Sequence, residues 1–559
     1  MSRIDRPRPG YLTIARSTTS HQRFTDSNHA SGLTRFSNMA RDLTLLWKAP
    51  EVNPINKKAR SIPFLNPFNQ YGRVFTFSWL GFMLAFWAWY TFPPLLTVTI
   101  KKDLHLTPIQ VANSNIVSLV STFFMRFLAG PMCDQFGSRN VFASLILIGC
   151  LPVGLAPLVK DVNGLYVARF FIGVLGATFV PCQVWCTGFF DKNVVGTANA
   201  LAGGWGNAGG GVTYFVMPAV YDSLMTYHGM TPGKAWRITF VVPLICLLAC
   251  GTGMLLTCAE TPLGKWKDRA ETIQKNLESH NVRGVTVVTV PGHITDRPEV
   301  EDAAGSDEEK GRAGSDRSVK VADNEISISR EEAIQTAQGE TVLKPTLKEA
   351  FPILYSPQTI FHLATYACSF GGELAVNAIL SSYYKKNFPH LDQTLASNYA
   401  AIFGFLNFVT RPLGGAIGDI LYNKVGHNLW YKKAWITICG LLTGALLIVI
   451  GKVDPSEANG MSIGTMVGLI SVMAIFHEAG NGANFALVPH VHPYANGIVS
   501  GLTGAAGNLG GVVFAIIFRF MHGGTDYAMG FWVIGIIHIA MNLAVCWIPP
   551  LPKGQLGGR

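Results

Sequence analysis

The sequence predicts an all-α membrane protein, twelve transmembrane helices in two pseudo-symmetric six-helix bundles, on three observations. Of 559 residues, 49% are hydrophobic and only 14% charged, where a soluble chain carries about 25% charged residues. Apolar runs long enough to cross a bilayer recur near 74–97, 110–132, 141–160, 165–190, 195–221, 236–258, 357–383, 395–421, 432–452, 462–489, 495–521 and 528–549. The third observation is an internal repeat. "RFLAGPMCDQFGSR" (126–139) in the second run superposes on "RPLGGAIGDILYNKVG" (411–426) in the eighth, Arg126 on Arg411, Gly130 on Gly415 and Asp134 on Asp419. "GGWGNAGGG" (203–211) in the fifth run superposes in the same way on "GAAGNLGGV" (504–512) in the eleventh.

Five segments follow from this pattern: a basic tail (1–70), a first bundle (71–260), a central loop (261–350), a second bundle (351–550) and a short C-terminal tail (551–559). The tail carries Lys57, Lys58 and Arg60, with Arg73 just beyond it, and a basic segment beside a first span is drawn to anionic inner-leaflet lipid. With an even number of spans, both termini then lie in the cytosol. The central loop includes "AAGSDEEKGRAGSDRS" (303–318), too poor in bulky apolar side chains to offset the entropy of ordering, and it reads as a largely disordered linker.

The net charge of +10 does not indicate nucleic acid, because the basic residues are scattered and carry no zinc, helix-turn-helix or RNA-binding signature. All ten cysteines fall in or beside apolar runs, which gives neither a disulfide framework nor metal-ligand spacing. No cofactor, metal or catalytic nucleophile–base pair is expected, and the protein is not expected to be an enzyme.

Gly204, Gly206 and Gly209 spell G-x-G-x-x-G, a dinucleotide fingerprint only where a strand enters and a helix leaves. Here the flanks are membrane spans, and the second copy has Ala505 in place of the first glycine. The glycines are better read as packing. Gly203, Gly206 and Gly210 recur along one helix stripe, as do Gly504, Gly507 and Gly511, and Gly206 with Gly210 has the small-xxx-small spacing of closely approaching backbones. Asn207 and Asn508 share those faces and bring an amide to them.

Arg126 precedes Asp134 by eight residues, so it lies on the same face about 12 Å deeper. If Asp134 marks the membrane edge, Arg126 is near the midplane, where a charge costs at least about 3 kcal/mol. Arg411 repeats this geometry, and neither arginine has a carboxylate one turn away on its own helix. Two guanidinium forks facing a cavity without an evident counter-ion form an anion site, and their planar donors suit a small planar oxyanion held by two bonds. Nitrate, nitrite and small carboxylates all qualify.

Tyr366 and Phe370 lie four apart on the seventh run with Glu373 on the same face, and Phe179 is the aromatic candidate from the other half. A flat anion can rest against ring edges, where the quadrupole is positive. A proton carrier must titrate inside the membrane. Glu373 is the first candidate and Glu478, beside His477, the second; the alternative for Glu373 is a cap on a kink at Gly371–Gly372.

"GPMCDQFGSR" resembles the cytoplasmic loop motif of the major facilitator superfamily, and the paired glycine–asparagine stretches resemble the two signatures of its nitrate/nitrite porter branch. The tail sequence "EVNPINKKARSIPFLNPFNQYGRVF" and the long central loop are most similar to the fungal high-affinity nitrate transporters. The resemblance implies that Arg126 and Arg411 grip nitrate, that Asn207 and Asn508 are the signature asparagines, and that Tyr366 and Phe370 line the site. It implies a plasma-membrane symporter that takes up nitrate, and nitrite beside it, with protons for nitrate assimilation. The alternatives are a nitrate/nitrite exchanger without protons, or a transceptor signalling through a kinase site such as Ser315. In the family the loop motif is a gating element, which implies that role for Asp134, Arg139 and Asp419. The second copy lacks a basic residue matching Arg139, which leaves its gating contacts open.

Overall fold

The computed structural model describes residues 43–191, 194–280, 325–328, 333, 336–337, 347–426, 428–455, 461–492, 496–524 and 526–553. Among the described residues, eleven helices are long and apolar enough to cross a membrane: Gln70–Leu96, Pro108–Phe136, Ser138–Leu158, Val162–Phe189, Pro232–Thr257, Pro357–Asn387, Gln393–Tyr422, Leu429–Lys452, Ile463–His490, Gly497–Gly523 and Tyr527–Val545. The twelfth expected helix, the fifth in order, is interrupted: Val195–Asn207 and Gly209–Thr226 are separate helices meeting at Ala208. Its glycine-rich centre is what sets it apart, because glycine both lowers helix stability and lowers the mean hydropathy. Span numbers below count this interrupted helix as the fifth. The chain is a multi-pass membrane protein.

Further spans are interrupted, among them the first at Tyr90–Thr91 and the sixth at Phe240, and two of the breaks bear on the site. In the fourth, Gly173–Thr178 tightens into a 3-10 turn between Val162–Ile172 and Phe179–Phe189. In the eighth, Asn407–Val409 separates Gln393–Leu406 from Thr410–Lys424. Irregular backbone at membrane depth is tolerated only where protein or a polar cavity covers it, so these breaks mark the polar interior. The halves meet along spans two and eleven and along spans five and eight. Backbones approach closely there and within each half. A Cβ on Gly510 would lie 2.0 Å from the Ala367 carbonyl oxygen, and one on Gly482 would lie 1.9 Å from that of Arg411.

At the end of the molecule where span one begins and span twelve ends, each half sends a carboxylate to the other. Asp134 sits against Gly497 at the start of span eleven, where an added Cβ would be 2.6 Å from its oxygens. Asp419 takes the equivalent place beside Gly196 at the start of span five. Helix N-termini favour such negative groups. Arg139 pairs with Glu260 at 2.8 Å rather than with Asp134. The basic partner missing from the second motif is supplied by the ninth span, whose Lys432 lies 2.8 Å from Asp419.

The tail and loop depart from expectation. Lys57 pairs with Glu325 and Arg60 with Asp191 at 3.2 Å, so these charges are engaged within the protein rather than offered to lipid. The loop is not without structure throughout. Arg269–Ser279 is helical, and Ile273 and Leu277 pack with Ile55, Ala333 and Ala337. Neither apolar pair shows the long periodicity of a span, which hid this small cluster in the sequence. Residues 281–324, with Ser315, lie outside the described residues.

The helix contacts predict that Gly510→Ala destabilises the protein by about 1–3 kcal/mol through overpacking, whereas Gly468→Ala, with nothing within 4 Å of the new methyl, does not. Thermal unfolding of the detergent-solubilised chain reads both; equal melting temperatures contradict the packing described.

Candidate functional site

The broken spans converge on the two predicted arginines. Arg126 and Arg411 are 0% and 1% exposed, and both guanidiniums rest on the same rings. Arg126 Cζ lies 4.9 Å from the Phe179 centroid and 4.7 Å from that of Phe370; for Arg411 the distances are 5.5 and 5.7 Å. Tyr366 and Phe370 stack at 5.2 Å and 9°. Phe179 faces them across the halves, at 6.4 Å and 20° from Tyr366 and 6.0 Å and 19° from Phe370.

Local backbone explains how the arginines are held. The 3-10 turn in span four turns carbonyls away from helical pairing, and the Gly176 carbonyl accepts from Arg126 Nε at 2.8 Å. Arg126 Nη1 donates to the Gly504 carbonyl at 3.3 Å, which also accepts from Asn508 Nδ2 at 3.1 Å. Arg411 Nη2 donates to the Tyr366 hydroxyl at 3.0 Å. One terminal nitrogen on each arginine, Arg126 Nη2 and Arg411 Nη1, has no hydrogen-bond partner among the described residues, and neither amide atom of Asn207 has one. Buried donors of this kind are costly unless a ligand or water meets them.

The expectation of a site without a counter-ion needs correction. Glu373 Oε2 lies 3.9 Å from Arg411 Nη1. The carboxylate comes from span seven, across the bundle, where no spacing along Arg411's own helix could show it. Glu373 accepts from Asn407 Nδ2 at 3.0 Å and Asn481 Nδ2 at 2.6 Å, and Pro357–Asn387 runs unbroken past Gly371–Gly372, so it caps no kink. Glu478 is buried beside it and accepts from the Thr410 hydroxyl at 2.5 Å.

The glycine stripes also differ from the packing reading. A Cβ on Gly203 would lie 3.2 Å from Arg411 Nε, on Gly206 1.9 Å from the Phe82 ring, and on Gly210 2.8 Å from the Asn377 amide. Gly504 faces Arg126 Cδ at 3.6 Å, Gly507 faces Tyr366 and Phe370 at 2.8 and 2.9 Å, and Gly511 faces Leu374 at 3.4 Å. The stripes thus make room for interior side chains. Backbone approach falls to their neighbours, Gly204 against the Asn407 carbonyl at 2.6 Å and Gly209 against that of Met83 at 2.3 Å.

Sequence reasoning missed Phe485, whose ring meets Phe179 and Tyr366 edge-on at 5.0 Å each, and the asparagines that hold Glu373. A usable signal existed: Asn407 precedes Arg411 by one turn, and Asn481 precedes Phe485 by one turn.

Residues 78–450 match the Major Facilitator Superfamily, and the chain belongs to it. The elsinochrome transporter 1 of Elsinoe fawcettii is 35% identical over 92% of this chain and all of that protein. The high affinity nitrate transporter 2.5 of Arabidopsis thaliana is 30% identical, covering 88% and 82%, and further nitrate transporters match at 26–30%. These relatives put the chain in the nitrate porter branch of the superfamily. The partially occluded inward-open xylose transporter XylE of E. coli shares the fold, with a TM-score of 0.54 at 14% identity over 85% of this chain and 99% of that one.

The ring contacts predict that Gly507→Ala, which pushes on both stacked rings, weakens binding of a small monovalent oxyanion at least about tenfold, or 1.4 kcal/mol. Anion-dependent thermal stabilisation of the purified protein measures it, and unchanged affinity contradicts the assignment of the slot.

Proposed function

We propose that this protein takes up nitrate, and nitrite beside it, by proton symport through alternating access, from the plasma membrane with both termini cytosolic, in the service of nitrate assimilation. The observation that carries the reading is the pair of fully buried guanidiniums over shared aromatic rings, each with one nitrogen that has no hydrogen-bond partner among the described residues. Nitrate is planar and singly charged. It can lie against the edges of the Phe179, Tyr366 and Phe370 rings and accept from Arg126 Nη2 and Arg411 Nη1, with the Asn207 and Asn508 amides available to its third oxygen. The names of the nitrate transporters among the relatives support this substrate.

Charge counting supports coupling to protons. With Glu478 protonated, two guanidiniums and an ionised Glu373 leave the site at +1. A bound nitrate with Glu373 protonated leaves it at +1 again, with the anion in the carboxylate's place beside Arg411. Binding nitrate weakens the field that keeps Glu373 ionised, and the unpartnered Oδ1 atoms of Asn407 and Asn481 can accept from its protonated form if the amides turn. Nitrate entry against an inside-negative potential costs about 2.3 kcal/mol per 100 mV, which one proton cancels and two reverse. Glu478 is the second carrier. For release to the cytosol, the contacts of Asp134 with span eleven and of Asp419 with span five must part.

The 35% identity to the elsinochrome transporter supports a second reading, carriage of elsinochrome. Elsinochrome flux without nitrate flux by the purified protein would favour it. The test of the first reading is nitrate-evoked current in a heterologous cell at two external pH values. Inward current should grow as pH falls. Arg126→Lys and Arg411→Lys should each abolish most of it at normal surface expression, because an ammonium cannot make the planar two-bond contact. Glu373→Gln should lose the pH dependence yet keep nitrate–nitrate counterflow. Counterflow without any pH dependence in the wild type would identify an exchanger, and nitrate binding without flux a sensor.

A further inference from the structure

A third arginine lies inside the membrane with its charge unused by the site above. Arg169 is 3% exposed and sits seven residues in from Val162, where span four begins on the face opposite the termini. Its Nε donates to the Ser114 carbonyl at 3.3 Å, a terminal nitrogen donates to Asn115 Oδ1, and the Phe92 ring lies 5.8 Å from Cζ. No carboxylate pairs with it among the described residues. A charge buried without a counter-ion is unfavourable, and nothing in the helix packing requires a guanidinium where a neutral donor would tie the same two spans.

What surrounds Arg169 suggests its use. Its small cavity is lined by Trp89, Tyr90, Asn115, Ser118 and Ala378. Asn115 and Ala378 also line a second cavity of about 240 Å³, which carries Lys101, Lys385 and Lys386 and has no acidic residue among its described lining. Lys385 donates to the Pro389 carbonyl at 2.9 Å, and the Lys386 amine lies 5.5 Å from the Tyr527 ring. Inward from Asn115, span two presents Ser118, Thr122 and Arg126 at i+3, i+7 and i+11, one helix stripe, all buried. A cleft lined by one sign of charge concentrates counter-ions. The sequence of groups is therefore a basic mouth, a lone guanidinium, a polar stripe and the paired arginines.

We propose that Arg169 is an outer station for the transported oxyanion, loaded from the lysine-lined mouth before the ion passes to Arg126 and Arg411. The proposal rests on the anion-transport reading. Asn115 Oδ1 is the station's resting occupant: it holds the position that an anion oxygen takes when the amide turns away. The cavity around Arg169, about 10 Å³, admits no more than a water-sized body in the closed state, so this displacement accompanies loading.

The test is equilibrium binding of isotope-labelled nitrate to the full chain in lipid nanodiscs, a readout that a purely structural arginine does not move. The wild type should bind two ions per chain, Arg169→Gln one, Arg411→Gln one and the double variant none. Asn115→Ala removes the competing oxygen and should tighten the outer ion about threefold, whereas loss of a merely structural tie would leave it unchanged or weaken it. If Arg169→Gln does not assemble, Asn115→Ala decides alone, and unchanged or weaker outer binding overturns the proposal. A wild type that binds one ion, lost in Arg411→Gln and kept in Arg169→Gln, contradicts the outer station only. A wild type that binds no nitrate contradicts the transport reading and the station together.

Discussion

Two like charges sharing one buried aromatic face are the constraint on which the rest of the interior depends. Neither Arg126 nor Arg411 reaches water, and one carboxylate, Glu373, lies 3.9 Å from the second of them. Fixed dipoles also face the guanidiniums: the Gly176 and Gly504 carbonyls and the ring faces of Phe179 and Phe370.

The backbone irregularities serve the same constraint. Where span four tightens at Gly173–Thr178, it supplies a carbonyl to Arg126; where span eight breaks at Asn407–Val409, it supplies the amide of Asn407 to Glu373 and sets Arg411 one turn beyond. Discontinuous helices near the midplane of a two-fold repeat are a general means of building such sites, and here the break at Ala208 falls inside the first of the two repeated glycine–asparagine stretches.

Much of this was legible because a repeat makes a residue count twice. Arg126 and Arg411 stand out in apolar runs, and the glycine–asparagine stretches align without gaps. Glu373 was visible as an intramembrane acid, but its position beside Arg411 was not, since periodicity along one helix carries no information about which helix faces it. For the same reason the stripes of Gly203, Gly206 and Gly210 looked like helix-packing surfaces until the side chains they admit, Arg411 and Phe82 among them, were in place. Arg169 was overlooked because no residue of the second half repeats it. The packing of Ile55 on Ile273 and Leu277 joins segments more than two hundred residues apart, beyond any local pattern.

In the proposed mechanism nitrate takes the place of the Glu373 carboxylate beside Arg411, so that binding the anion and binding a proton are one event. Proton uptake on adding nitrate to the purified protein in weakly buffered solution, followed with a pH indicator, tests it most directly. The account predicts net proton uptake that saturates with nitrate and is absent in Glu373→Gln. Nitrate binding with no proton uptake by the wild-type protein would contradict it.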